Sequence, residues 1–218
     1  MVNRRYRNEQ RPLRRRRPFL EPRKRILIVC EGKVTEPQYF EAFSQEERNR
    51  LVDVVIDDAS GVPKTLVERA VQRKKRAEQE AKHARDDNLK YDEVWCVFDV
   101  DQHPNLPDAR QQARDNEIKL AVSNPCFELW LLLHFSEQTA HIERHVAASS
   151  LRTHIRGYRK HVPFDKLRSG YEDAVRRAKL LERRATDSGD ESGNPSTKVY
   201  CLTERIIQVS QEARSPST

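Results

Sequence analysis

The sequence predicts an α/β fold: an open, mainly parallel four-stranded sheet flanked by helices, with a C-terminal helical extension. Three observations carry this. Four short apolar runs (RILIVC, VDVVID, DEVWCVFDVD and IKLAVS) alternate with longer helical patterns, the order that builds a parallel sheet. Two of them, from Arg25 and from Asp92, are apolar through their middles, as strands covered on both faces are. After Phe135 no comparable run occurs. With 218 residues, 36% of them hydrophobic and 34% charged, the chain fits one ordinary domain with extensions.

Residues 1–24 are Arg-rich, punctuated by proline and poor in aliphatics, so they bury too little surface to offset the entropy of ordering and are expected to be a disordered arm. Eleven Arg and Lys against two Glu give residues 1–25 a net charge of +9, leaving 30 basic against 32 acidic side chains, net −2, in the rest. Arg14, Arg15, Arg16 and Arg17 are the candidate nucleic-acid contacts of this arm. A merely solubilising tail is the other reading.

The ordered core is expected from residue 25 to 135. RILIVC is its first strand, and EGKV a turn into a helix. Thr35 with Gln38 makes a capping-box pattern, Pro37 suits a first turn, and Tyr39, Phe40 and Phe43 form an apolar stripe. VDVVID reads as the second strand. A charged helix from about Lys64 to Arg85 follows, its narrow stripe Leu66, Ala70, Ala77 and Ala81. DEVWCVFDVD is the third strand, a polar helix runs on to about Asn116, and IKLAVS is the fourth. Asn124 and Pro125 read as cap and first turn of the apolar helix CFELWLLLHF. Trp95 and Trp130 lie in apolar runs and belong in the core.

Residues 136–213 are expected as helices packed on that core, with a tail at 214–218. An amphipathic stretch lies around Val146–Tyr158. Ala174, Ala178, Leu181 and Ala185 share one helix face, and Val199, Leu202, Ile206 and Val209 another.

Several classes are excluded. No window approaches the roughly 18 apolar residues of a membrane span, and the N-terminus lacks an apolar signal core, so a cytoplasmic protein without membrane contact is expected. Cys30, Cys96, Cys126 and Cys201 are scattered, with no CxxC and no zinc-ligand spacing, which points to buried reduced thiols. No GxxxxGK[ST] loop is present, so any ATP hydrolysis belongs to a partner.

The chemistry is expected where strands end. Glu31 follows the first strand, and Asp99 and Asp101 close the third. Parallel strands place all their C-termini on one edge, where open α/β folds bind ligands. The i, i+2 spacing puts Asp99 and Asp101 on one side of an extended segment. Three converging carboxylates repel unless a cation relieves them, and all-oxygen ligation suits Mg²⁺ or Mn²⁺. The plainer alternative is acids that merely end strands in solvent.

Glu31–Gly32 after one strand and Asp99-x-Asp101 after another resemble the signature of the Toprim fold of topoisomerases, primases and OLD-type nucleases. More specifically, CEGKVTEPQYF, VFDVDQH, SNPCFELWLLLHF and NPSTKV together resemble the RloB family, over most of the chain from residue 25 to about 209. The resemblance implies a phosphotransfer site with Glu31, Asp99 and Asp101 as metal ligands, and a role beside an AAA- or ABC-type ATPase in prokaryotic anti-phage defence. It says nothing about the Arg-rich leader.

Lesser candidates surround the trio. Glu128 reads as a further ligand or a water-orienting base, or as an acid serving the helix dipole. Glu36 has the same two readings, the dipole one being the simpler. Lys33 is placed to contact a phosphate, or is an ordinary loop lysine. His103 could shuttle protons; His134, closing an apolar helix, is read as packed. Asn124 and Asn194 are read as helix caps. The expected function is thus a metal-dependent nuclease acting on RNA, tRNA included, or on DNA. The alternative is a non-catalytic nucleic-acid-binding or docking subunit of an ATPase complex. Oligomeric state is left open.

Overall fold

The computed structural model describes residues 24–48, 52–56, 62–100, 106–190 and 193–214. Four parallel strands, β1 (Ile26–Cys30), β2 (Val52–Ile56), β3 (Glu93–Asp99) and β4 (Ile118–Asn124), form the sheet in the order β2-β1-β3-β4. A fifth, β5 (Ser196–Thr197), lies antiparallel on β4 at the edge, with Ser123 opposite Thr197. β1 and β3 are the central pair, with Cys30 level with Val97. Their five and seven residues are buried from end to end apart from Glu93 and Asp99, as their unbroken apolar character requires.

Three layers result, helices on both faces of one sheet, as expected of an open α/β domain. On one face, α2 (Pro63–Ala84) and α3 (Leu106–Asp115) cover Leu27, Val29, Cys96 and Phe98. The stripe Leu66, Ala70, Ala77 and Ala81 is buried there, widened by Val67 and Val71. Alanine lets the helix sit close, while the outer side stays charged. The helix ends in a left-handed Arg85, with Asp86 donating to the Ala81 carbonyl at 3.0 Å.

The opposite face holds the larger core. There α1 (Thr35–Glu46), α4 (Phe127–Leu133), α5 (Arg144–His154), α6 (Phe164–Arg168), α7 (Tyr171–Asp187) and α8 (Val199–Arg214) pack on Ile26, Ile28, Cys30, Trp95 and Val97. Every residue of the two expected stripes in α7 and α8 is buried. Tyr39 of α1 meets Phe40, Phe127 and Trp130 edge to face. Arg205 of α8 is tied to Glu93 of β3 at 2.5 Å, its Nε donating to the carboxylate. Cys30, Cys96 and Cys126 are buried free thiols, and Cys201 is partly buried. Among the described residues no helix is long and apolar enough to cross a membrane.

Four local expectations are corrected. The cap of α1 is Val34, with no side-chain capping bond. Thr35 instead donates its hydroxyl to the Lys160 carbonyl, and Gln38 bonds His161, so both side chains serve a long-range contact. Asn124 and Pro125 do not open α4: Asn124 ends β4, their peptide bond is cis, and Cys126 caps the helix. Asn194 caps no helix; it accepts from the Ile142 N–H at 3.0 Å and donates to the Ile142 carbonyl at 2.9 Å, like a strand partner. Finally, the C-terminal segment adds β5 to the sheet and is not wholly helical between its long elements.

Candidate active site

The site follows from topology. From β1 the chain leaves through α1 on one face toward β2; from β3 it leaves through α3 on the other face toward β4. A crevice therefore opens between the C-terminal ends of β1 and β3, the switch point at which open α/β sheets bind ligands. Glu31 is the first residue beyond β1, its N–H donating to the Val97 carbonyl of β3 at 3.0 Å. Asp99 is the last residue of β3, opposite Ser123. The sequence alone placed both acids at strand ends; the strand order makes those ends neighbours.

Two further acids reach the same place. Gly32 turns the chain into α1, and Glu36 in the first turn folds back over it. A Cβ at Gly32 would coincide with the Glu36 carboxylate, so glycine is required for this return. Glu36 stands in the first turn of α1, as the helix-dipole reading has it, and is only 8% exposed. Glu128, in the first turn of α4, accepts a hydrogen bond from the buried Tyr158 hydroxyl at 3.3 Å.

The electrostatics record the crowding. Burial first, then the Glu36 charge, hold the Asp99 carboxyl well above the usual carboxylate range; Glu128 and Glu31 push the same way, and only Arg144 opposes. Arg144 Nη1 lies 3.2 Å from Asp99 Oδ2, with the aspartate side chain 13% exposed. Burial likewise raises Glu36, with its own backbone N–H opposing, Glu128 and Glu31 adding to the rise, and Lys160 lowering it. The Cys126 thiol is pushed up by burial and then by Glu128 and Asp99. Asp99 and Glu36 are thus largely buried within the field of the half-buried Glu31 and Glu128, with Arg144 and Lys160 as the opposing cations.

Of the other sequence candidates, Lys33 stands exposed in the loop between Glu31 and α1. His134 is buried, its Nδ1 2.9 Å from the Trp130 carbonyl oxygen, and burial lowers it to about 4, consistent with a packed histidine. Asp101, His103, Arg14, Arg15, Arg16 and Arg17 lie outside the described residues. Among the described residues no three His, Cys, Asp or Glu side chains are grouped tightly enough to hold a metal ion by themselves. Hard oxygen donors crowded against their own repulsion nevertheless form the donor set that Mg²⁺ or Mn²⁺ takes, and the third expected ligand, Asp101, follows Asp99 by two residues.

Arg144, Tyr158 and Lys160 are site residues that the sequence reading missed. A signal existed: no Asp or Glu interrupts residues 144–164, a stretch with five Arg and Lys.

The family model described as RloB-like protein matches residues 26–206, a span from the first residue of β1 into α8. No curated protein and no solved structure matches the chain.

Proposed function

Because the chain belongs to the RloB-like family and its buried acids meet at the switch point of a parallel sheet, we propose that it is a metal-dependent nuclease of Toprim type. It hydrolyses phosphodiester bonds in RNA, tRNA included, or in DNA, and acts as an effector of prokaryotic anti-phage defence under a partner AAA- or ABC-type ATPase. One observation supports the enzymatic part: Asp99 and Glu36 are largely buried at the switch point, where burial first and the charges of Glu128 and Glu31 after it push both toward protonation. A fold stable for packing alone has no reason to gather buried like charges. The defence setting and the ATPase rest on the family resemblance.

Glu31, Asp99 and Asp101 would hold the ion, Mg²⁺ or Mn²⁺, which supplies Lewis-acid polarisation of a phosphoryl oxygen and neutralises developing charge. Glu128, steadied by the Tyr158 hydroxyl, is suited to take the proton of the attacking water at a carboxylate oxygen. Lys33 and Arg144 are suited to meet non-bridging phosphate oxygens. Glu36, shielded under Gly32, keeps water out of the floor of the crevice while adding to the negative field that attracts a cation.

Calorimetric titration with Mn²⁺ tests the site itself. A saturable heat for the wild type, lost in Glu31→Gln/Asp99→Asn, is expected; identical heats in both proteins would refute the assignment.

A further inference from the structure

Between Glu143 and Asp165 run twenty-one residues, RHVAASSLRTHIRGYRKHVPF, with four Arg, one Lys and three His and no acid. Outside residues 1–25 the chain is net −2, so this stretch of +5 stands against a remainder of −7. Such segregation is not a general property of the surface. It comprises α5 and the loop to Pro163, and it meets the site at both ends: Arg144 pairs with Asp99 at 3.2 Å, and the Lys160 carbonyl accepts from Thr35, the neighbour of Glu36.

The loop is fastened there by specific bonds. Tyr158 donates to Glu128 at 3.3 Å, Thr35 donates to the Lys160 carbonyl at 3.2 Å, and the Val162 N–H donates to Gln38 Oε1 at 3.4 Å. Gln38 also bonds the His161 ring at 3.1 Å. Lys160 takes a left-handed backbone, φ 69°, a conformation uncommon for a residue with a side chain. With the backbone pinned inward, Arg152, Arg156, Arg159, Lys160 and His161 are exposed.

We infer that residues 144–161 form a basic rim which holds the phosphodiester backbone of the substrate strand beside the acidic crevice. This rests on the nuclease reading for the identity of the polyanion. Cations on a fixed loop bind phosphates at a set distance from the carboxylates, whereas net charge alone supplies attraction without register. The rim would also ease the approach of a polyanion to carboxylates of like charge, since its Arg144 already pairs with Asp99.

The test is binding of a fluorescein-labelled single-stranded oligonucleotide to the full chain in EDTA, titrated with KCl. Arg156→Ala/Arg159→Ala/Lys160→Ala should lower the slope of log affinity against log salt by about 2, at roughly 0.7 per lost single-strand phosphate contact. Lys75→Ala, an exposed cation on α2 over the other face of the sheet, should leave the slope unchanged. The charge-preserving Arg156→Lys/Arg159→Lys/Lys160→Arg should keep the wild-type slope. An alanine variant with the wild-type slope, or a charge-preserving variant that loses it equally, overturns the rim. Because no cleavage occurs in EDTA, a protein that binds in this way yet never cuts would refute the nuclease reading and leave the rim standing.

Discussion

Replacing Arg144 by alanine removes the cation 3.2 Å from the Asp99 carboxylate. At that distance an ion pair is worth about 5 kcal/mol at an effective dielectric constant of roughly 20, and about 1 kcal/mol in water. The aspartate side chain is 13% exposed but the arginine 50%, which moves the value toward the lower limit. A loss of about 1–2 kcal/mol is expected, or roughly 2–8 °C in melting temperature for a chain of this size. Asp99 can escape part of this cost by taking up a proton, since its carboxyl is already raised. An acid whose folded pKa is raised binds more protons folded than unfolded. Its penalty is absent below the ordinary carboxylate range and grows as pH rises through the folded value. The variant should therefore lose more stability near pH 8 than near pH 5. Thermal unfolding in EDTA across that range measures it. Added Mg²⁺ should restore the variant more than it raises the wild type, because the ion replaces the missing charge. An equal loss at both pH values, or equal Mg²⁺ shifts, would refute the electrostatic account of the crevice.

Three further outcomes follow from particular contacts. Gly32→Ala drives a Cβ into the Glu36 carboxylate and should cost about 1–3 kcal/mol in urea unfolding, with most of it recovered in Gly32→Ala/Glu36→Ala; no recovery would mean that the two residues do not oppose each other. His134, lowered to about 4 by burial, contributes stability that is full above its unfolded value near 6.5 and is lost as pH falls toward 4, with a ceiling of about 3 kcal/mol. The urea midpoint of His134→Phe should accordingly fall less than the wild type's between neutral and acid pH. Asn194→Ala forfeits both bonds to Ile142 and should cost about 2 kcal/mol, read as a lower melting temperature.

What was legible in the sequence was whatever periodicity or an unbroken apolar run encodes. The four parallel strands, α2 and the buried stripes of α7 and α8 each repeat a burial pattern over several residues, so the local pattern suffices. β5 is two residues long and exists because Ser123 of β4 bonds Thr197 while Asn194, just before it, is anchored on Ile142, which no local pattern records. The caps failed for a related reason. Thr35, Gln38 and Asn124 carry side chains suited to helix ends, but Thr35 and Gln38 are bound by the loop around Lys160, more than a hundred residues away. Within the site, Glu31 and Asp99 could be placed because they terminate recognisable strands. Glu36 could be placed in a first turn but not under the loop, since its burial depends on the space left by Gly32. Arg144 and Lys160 were reachable from charge alone: counting acids along residues 144–164 isolates them, while reading the same stretch for amphipathicity does not.

The central claim is that the crevice between β1 and β3 cuts phosphodiester bonds with a divalent cation. Cleavage of labelled total tRNA and of plasmid DNA, with Mg²⁺, Mn²⁺ or EDTA, tests it most directly, for the wild type and for Glu31→Gln and Asp99→Asn/Asp101→Asn. The account predicts metal-dependent cuts by the wild type, alone or with the proposed ATPase added, and none by either variant. Cleavage that survives in EDTA or in the variants would contradict it, as would silence of the wild type on both substrates with the partner present.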